Sequence, residues 1–354
     1  MLKKLVNECR FTLTLETKSP FLIKDGRFDK DQFVEDGIIP RNQKEKYTNT
    51  IFVCLNTEQE LKDAVRRYDY SNLKFYIPGT SLRGVIRSHA EKIVRTLRDG
   101  DDNWICCDLF AKDGPRLSCS TWLDLAKKKI SKIKTYKLSC VICKLFGCTG
   151  TASRIQVHDS AISRQGTVGV RDGIGIDRFT GGVSSGANFK NQVLEGYTFQ
   201  SEITIRNFEI WQLGLLAYVF RDFEQELLTL GFGKSKGFGR VKGTIGEIRI
   251  AYYRNKIDSK LTDLGDLFTE QIANYGFVAG NLSDDSLLQP LTSPTELTYR
   301  REFKVTNGDN DKFWKACAKV WNQAVAEGKF PSIPQLRAEA TSAEQASDVE
   351  VNHG

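Results

Sequence analysis

The residues best suited to chemistry in this 354-residue chain are its nine cysteines, six of which crowd at positions 106, 107, 119, 140, 143 and 148. Cys140-Val141-Ile142-Cys143 has the spacing of a metal knuckle, and Cys106, Cys107, Cys119 and Cys148 offer further thiolates. His89, projecting from a preceding helix, could supply an imidazole. Such crowding outside a secretory context points to metal more than to disulfides. A zinc ion here would be structural, folding an insertion too small to hold its own core. A redox use of the C-x-x-C pair is weaker, since no thioredoxin-like strand leads into it.

A second candidate is the loop from Gly231 to Gly239, Gly-Phe-Gly-Lys-Ser-Lys-Gly-Phe-Gly. It fails as a Walker loop, because the required first glycine falls at Leu228, and as a dinucleotide fingerprint, because the third glycine would be Lys236. It suits a backbone clamp on nucleic acid instead. Its N–H groups, with Lys234, Lys236 and Arg240, can meet phosphates, and Phe232 or Phe238 can pack under the loop or stack on a base. The third candidate is the acid-rich stretch 24–36, holding Asp25, Asp29, Asp31, Glu35 and Asp36. Carboxylates on a loop facing a basic groove can bind Mg²⁺ or assist RNA cleavage.

Composition narrows these possibilities. With 51 Lys+Arg against 44 Asp+Glu the net charge is +7, and setting aside the four acids of the tail 338–354 leaves +11 on the remainder. That field can attract a polyanion. Only three histidines occur, at 89, 158 and 353, so schemes needing several imidazoles are excluded. No apolar run approaches a membrane span, and the opening Met1-Leu2-Lys3-Lys4-Leu5 lacks a secretory stretch, so a cytoplasmic protein without membrane contact is expected.

These groups need a scaffold, and the periodicity supplies one. Residues 9–16 alternate as a half-buried strand, 81–98 repeat at helical spacing after the Pro78-Gly79 turn, and 154–162 and 197–206 return to strand. A helix at 209–229 and a last strand at 240–253 complete the order strand, helix, strand, strand, helix, strand. That is an α+β, ferredoxin-like or RRM-like core within 1–254. It carries large insertions: an acidic loop at 18–75, the cysteine-rich, zinc-binding segment at 99–153 with its lysine-dense middle, and a glycine-rich hairpin at 163–196. A mostly polar extension follows at 255–337 with one helix at 311–327. The acidic tail 338–354 lacks the apolar content to fold.

Four segments in this order resemble the RAMP superfamily, specifically a backbone-type subunit of type III CRISPR–Cas effector complexes. They are Leu15-Glu16-Thr17, the run Ile77-Pro78-Gly79-Thr80-Ser81-Leu82-Arg83-Gly84-Val85-Ile86-Arg87, the segment from Gly175 to Gly182, and Gly231 to Val241. Arg87-Ser88-His89-Ala90-Glu91, Cys107-Asp108 and Cys140-x-x-Cys143-Lys144-Leu145-Phe146-Gly147 resemble the zinc-bearing, III-D-like branch. The resemblance implies zinc ligands His89, Cys107, Cys140 and Cys143, with Cys106 and Cys148 competing. It also implies a crRNA-binding subunit in a filament with other CRISPR effector subunits. Arg83, Arg87, Lys234, Lys236 and Arg240 would hold the guide, and Arg178 and Phe179 would lie on a thumb that interrupts guide–target pairing. Sequence would be read by base pairing, not by protein.

In catalytic members an aspartate after the first strand supports divalent-metal-dependent cleavage of target RNA. Asp36 fits best in distance from the first strand, followed by Asp31, with Asp29 and Asp25 behind them. Two alternatives stand beside this metal-dependent endoribonuclease. One is a noncatalytic capping or scaffold subunit. The other is a guide-processing endoribonuclease, disfavoured because that class leans on histidine.

Overall fold

Alternation of Phe11, Leu13 and Leu15 with polar neighbours builds the central strand β1 (Asn7–Thr17). The computed structural model describes residues 4–97, 104–111, 113–114, 117–126, 134–253, 261–269, 272–278, 280, 282, 287–291, 299–306 and 308–339. Residues 127–133 of the lysine-dense stretch and residues 340–354 of the expected tail lie outside them. After β1 come α1 (Lys30–Glu35), α2 (Glu58–Arg67), α3 (Gly79–Leu97), α4 (Cys119–Leu125) and α5 (Val141–Phe146). Strands β2 (Ile155–Val157), β3 (Ala161–Arg164), β4 (Thr167–Ile176), β5 (Val183–Glu195) and β6 (Thr198–Arg206) precede α6 (Ile210–Glu224) and β7 (Val241–Tyr253). The remainder holds α7 (Leu264–Leu267), α8 (Ile272–Tyr275), β8 (Leu288–Pro290), β9 (Arg300–Val305) and α9 (Asn310–Ala326).

The result is a mixed α/β fold with two antiparallel sheets. The larger runs β2–β6–β1–β7–β9–β8, with β3 also paired to β6, and the smaller is the ribbon β4–β5. Phe11 sits opposite Ile203 on one side and Ile248 on the other. Its ring meets Phe220 of α6 at 5.2 Å and Trp314 of α9 at 5.5 Å, both edge-on, so the helices cover this face. The other face carries charge. Glu8, buried, accepts from Arg10 and Arg206 at 2.8 and 2.9 Å, with Arg300 at 3.8 Å. Glu202, Glu247, Glu302 and Arg249 line the same face, so it carries charges of both signs.

Several elements depart from the sequence reading. The expected strand 154–162 is two short strands, because Ile77 and Ser160 exchange backbone hydrogen bonds and divert the chain between them. The expected helix 209–229 ends at Glu224, and Glu226 adopts a left-handed φ of 60°. The 18–75 segment is folded rather than a loop. Its Phe21 and Phe52 pack with Phe199 of β6 at centroid separations of 6.0 and 6.4 Å, and Phe52 also meets Phe21 at 5.3 Å and Phe75 at 5.7 Å. The extension adds β9 to the edge of β7. At its end Ala338 and Glu339 complete a short helix over 333–339, where Glu339 pairs with Lys137.

Helices α6 and α9 touch at Gly214, where an added Cβ would lie 2.2 Å from the Cys317 carbonyl oxygen. Gly214→Ala is therefore expected to push α9 off the sheet and lower stability by ~1–3 kcal/mol, read as a drop in thermal midpoint. An unchanged midpoint would mean that α9 contributes little to the fold.

Candidate metal centre and nucleic-acid interface

The C-x-x-C pair opens α5. Cys140 is the N-cap, accepting the Cys143 N–H at 3.4 Å, and Gly147 ends the helix with φ 78°. Cys119 begins α4 behind its own cap, Ser118, and accepts the Cys140 N–H at 3.3 Å. Cys107 comes from the chain that follows α3. The sulfurs of Cys107, Cys119, Cys140 and Cys143 all lie within 4.8 Å of one another, and all four residues are buried. Cys140 and Cys143 stand 3.6 and 3.8 Å from Cys107. Four sulfurs at ~2.3 Å from a central ion in a tetrahedron are ~3.8 Å apart, so the spacing fits one ion. A disulfide would draw two of them to ~2.05 Å.

This quartet differs from the expected one by a single ligand. His89 is not at the centre; its Nε2 lies 2.5 Å from Asp222 Oδ2 on α6. The reason is helical geometry. Arg87 faces α5, where it reaches the Gly147 carbonyl at 3.3 Å and Cys143 Sγ at 3.7 Å. His89, two residues on, is rotated roughly 200° around the helix. Cys119 takes the fourth place. Cys106 and Cys148 stay outside the quartet, and the Cys106 thiol donates to the Cys107 carbonyl at 3.4 Å. Nothing in the spacing around Cys119 marks it as a ligand; only the count of thiols does.

Arg83 and Arg87 also have internal tasks. Arg83 donates to the Phe146 carbonyl and, at 3.2 Å, to Ser153 Oγ, and its burial together with the Arg87 charge lowers its pKa. Arg87 is 2.9 Å from Glu91. Both arginines clamp α5 onto α3 and are only partly exposed.

The glycine-rich loop occupies a different place. Gly231, Gly233, Gly237 and Gly239 all have φ between 77° and 84°. At Gly231 an added Cβ would lie 2.2 Å from the Leu22 carbonyl oxygen. Glycine is required there by both space and conformation. Hydrogen bonds from Phe232 N to Leu22 O and from Gly239 N to Pro20 O stitch the loop onto the chain leaving β1. This brings Lys24 Nζ over the Phe232 ring at 3.7 Å, a contact the sequence reading did not include. Lys236 Nζ approaches the ribbon, 3.0 Å from where a Cβ on Gly173 would stand. Lys234 is exposed beside it, and Arg240 pairs with Glu226 at 3.5 Å.

The ribbon projects from this junction. Its base is held by the 18–75 segment, with Asn49 N to Lys190 O at 2.6 Å and Thr50 Oγ1 to Asn191 Oδ1 at 3.0 Å. Its tip is a turn closed by Asp177, whose carboxylate accepts from the N–H groups of Thr180 and Phe179 at 2.8 Å. These bonds hold the Asp177 carboxyl below its usual pKa. Arg178 and Phe179 lie at that tip, and Phe179 is fully exposed.

The four aspartates near α1 are unequal. Asp25 is buried, and although burial alone would raise its pKa, hydrogen bonds from Arg27 and the Cys54 N–H hold it low. Asp29 caps α1. Asp31 lies 2.5 Å from Lys44, whose hydrogen bond lowers the Asp31 pKa. Asp36 is exposed at the C-cap and accepts only from Gln32 Nε2, at 2.9 Å, among its side-chain hydrogen bonds. Apart from the cysteines, no three metal-ligating side chains converge among the described residues. No described helix is long and apolar enough to cross a membrane.

Compared with known proteins, the chain matches the family model described as RAMP superfamily over residues 14–242. No curated protein matches it.

Proposed function

Because the chain belongs to the RAMP superfamily, we propose that it is a CRISPR-associated RNA-binding subunit, and more narrowly a crRNA-binding backbone subunit of a type III, III-D-like effector complex. One observation carries the reading: Lys24, Lys236 and the glycine loop gather at the base of the projecting ribbon. Backbone N–H groups and lysines in that position hold phosphates without reading bases. The strand order β2–β6–β1–β7, with α3 and α6 as crossovers, supports reading the core as a ferredoxin-like, split βαβ sheet. The ribbon β4–β5 is then the thumb, with Phe179 as the wedge between guide and target RNA. Zinc held by Cys107, Cys119, Cys140 and Cys143 is structural. Such a subunit works in the cytoplasm with the other effector subunits.

Within this reading Asp36 is the residue for target-RNA cleavage, being the aspartate least engaged by the protein. Its exposure supports the role, and the lack of converging carboxylates favours the second reading, a noncatalytic scaffold or capping subunit. Phosphate binding has its own test. Replacing Lys24, Lys234 and Lys236 together by alanine should weaken RNA binding equally across guide sequences and flatten the salt dependence by about two units of slope, ~0.7 per lost contact. Filter binding across a salt series measures this. A change in preference between guide sequences, with affinity retained, would sink the backbone-clamp reading.

A further inference from the structure

The metal centre is closed from outside the family-matched region. Residues 330–339 lie far beyond 242, yet they pack against the cysteine insertion. Phe330, Ile333 and Leu336 are buried, and Ile333 N donates to the Trp104 carbonyl at 2.6 Å. A Ser332–Gln335 reciprocal cap starts the short helix, with Ser332 N to Gln335 Oε1 at 2.8 Å. This helix presents Arg337, whose guanidinium lies 3.8 Å over the Trp122 ring. The same group donates to the Leu117 carbonyl at 3.4 Å and to Cys119 Sγ at 3.7 Å.

Charge explains why an arginine belongs there. Four thiolates around one divalent ion carry two net negative charges, and the four cysteines are buried. Burying such an excess is costly unless cations and N–H donors surround it. Arg87 supplies one N–H to Cys143 Sγ, but Arg87 and Arg95 also share Glu91, at 2.9 and 3.6 Å. Counting the complex and Glu91 against Arg87 and Arg95 leaves one negative charge. Arg337 offsets it at Cys119, a different sulfur from the one Arg87 reaches.

We infer that Arg337, with Arg87, neutralises the four-thiolate complex, so that metal occupancy and docking of the 330–339 segment are coupled. The inference rests on the metal reading proposed above. Arg337 is a positioning residue: its N–H reaches Cys119 Sγ, where it offsets the charge of the metal-bound sulfurs, and bound metal in turn favours the seated segment. The planar guanidinium suits this because one face stacks on Trp122 while its edge reaches sulfur and carbonyl.

The test uses the full chain loaded with zinc, titrated against a chromophoric chelator, with Arg337→Met, Arg337→Lys, Arg87→Met and the exposed-site control Arg41→Met. Arg337→Met and Arg87→Met should each weaken zinc binding about 10- to 100-fold, the range usual for outer-sphere partners. Arg337→Lys should recover part of the loss, and Arg41→Met should match wild type. Hydrogen exchange on the wild-type protein is the second measurement. Stripping zinc should raise exchange across 330–339. Wild-type zinc affinity in Arg337→Met, or unchanged exchange in 330–339 after chelation, overturns the coupling alone. A wild-type chain that binds no zinc overturns the metal reading and the coupling with it.

Discussion

Cys119→Ser is expected to release the metal from this protein, and His89→Ala is expected to retain one zinc per chain. The two variants separate the ligand set expected from sequence from the one the fold assembles. Cys119 lies in the group of buried sulfurs within 4.8 Å of one another, while His89 is committed to Asp222. Losing a ligand from a structural site removes folding free energy directly, because helices α4 and α5 span only seven and six residues and cannot persist alone. Cys107→Ser, Cys140→Ser and Cys143→Ser should behave like Cys119→Ser. Each should lower the thermal midpoint by about 5 °C, as a loss of several kcal/mol implies for a chain of this size. His89→Ala removes one partly buried contact, that to Asp222, and should cost no more than ~1 kcal/mol. Metal analysis and thermal scans with and without chelator supply both readouts. Full zinc in Cys119→Ser together with zinc loss in His89→Ala would restore the histidine ligand.

Asp36→Asn should abolish one target-RNA cleavage site in the assembled complex while leaving RNA binding intact. The substitution keeps shape and the contact to Gln32 but removes the charge that a divalent ion requires. Asp31→Asn is the matched comparison, and it should cut normally because Asp31 already serves Lys44. Asp25→Asn should lower stability instead, since the buried Asp25 carboxylate accepts from Arg27 at 2.6 Å and from the Cys54 N–H at 3.3 Å. Cleavage is followed on labelled target RNA in Mg²⁺. If all three variants cut at every site, the chain is a scaffold and the cuts belong to its neighbours.

The RNA side of the proposal depends on how the ribbon is fixed. Asn49, Thr50 and Phe52 hydrogen-bond to Lys190, Asn191 and Gln192 at its base, so the 18–75 segment sets the ribbon's direction relative to the glycine loop. A segment that serves as a bracket in this way places Lys24 as well, and both tasks fall on residues with little periodicity of their own.

What the sequence determined by itself was whatever local periodicity and residue type control. Alternation at Phe11, Leu13 and Leu15 specified β1, helical spacing from Leu82 to Leu97 specified α3, and the glycines at 231–239 specified a loop with positive φ. The C-x-x-C spacing marked α5 as half of a candidate metal centre because one helix turn brings Cys140 and Cys143 to the same side. Tertiary structure decided the remainder. Which cysteine completes the quartet depends on where α4 docks, and that docking is a long-range event with no short motif. Whether Arg87 meets RNA or sulfur depends on which neighbour its face of α3 finds, and α5 lies there. β9 holds only Phe303 and Val305 among charges, too weak a pattern until the free edge of β7 pairs with it. Arg337, more than two hundred residues from Cys119 in sequence, reaches it only because the chain folds back over the insertion.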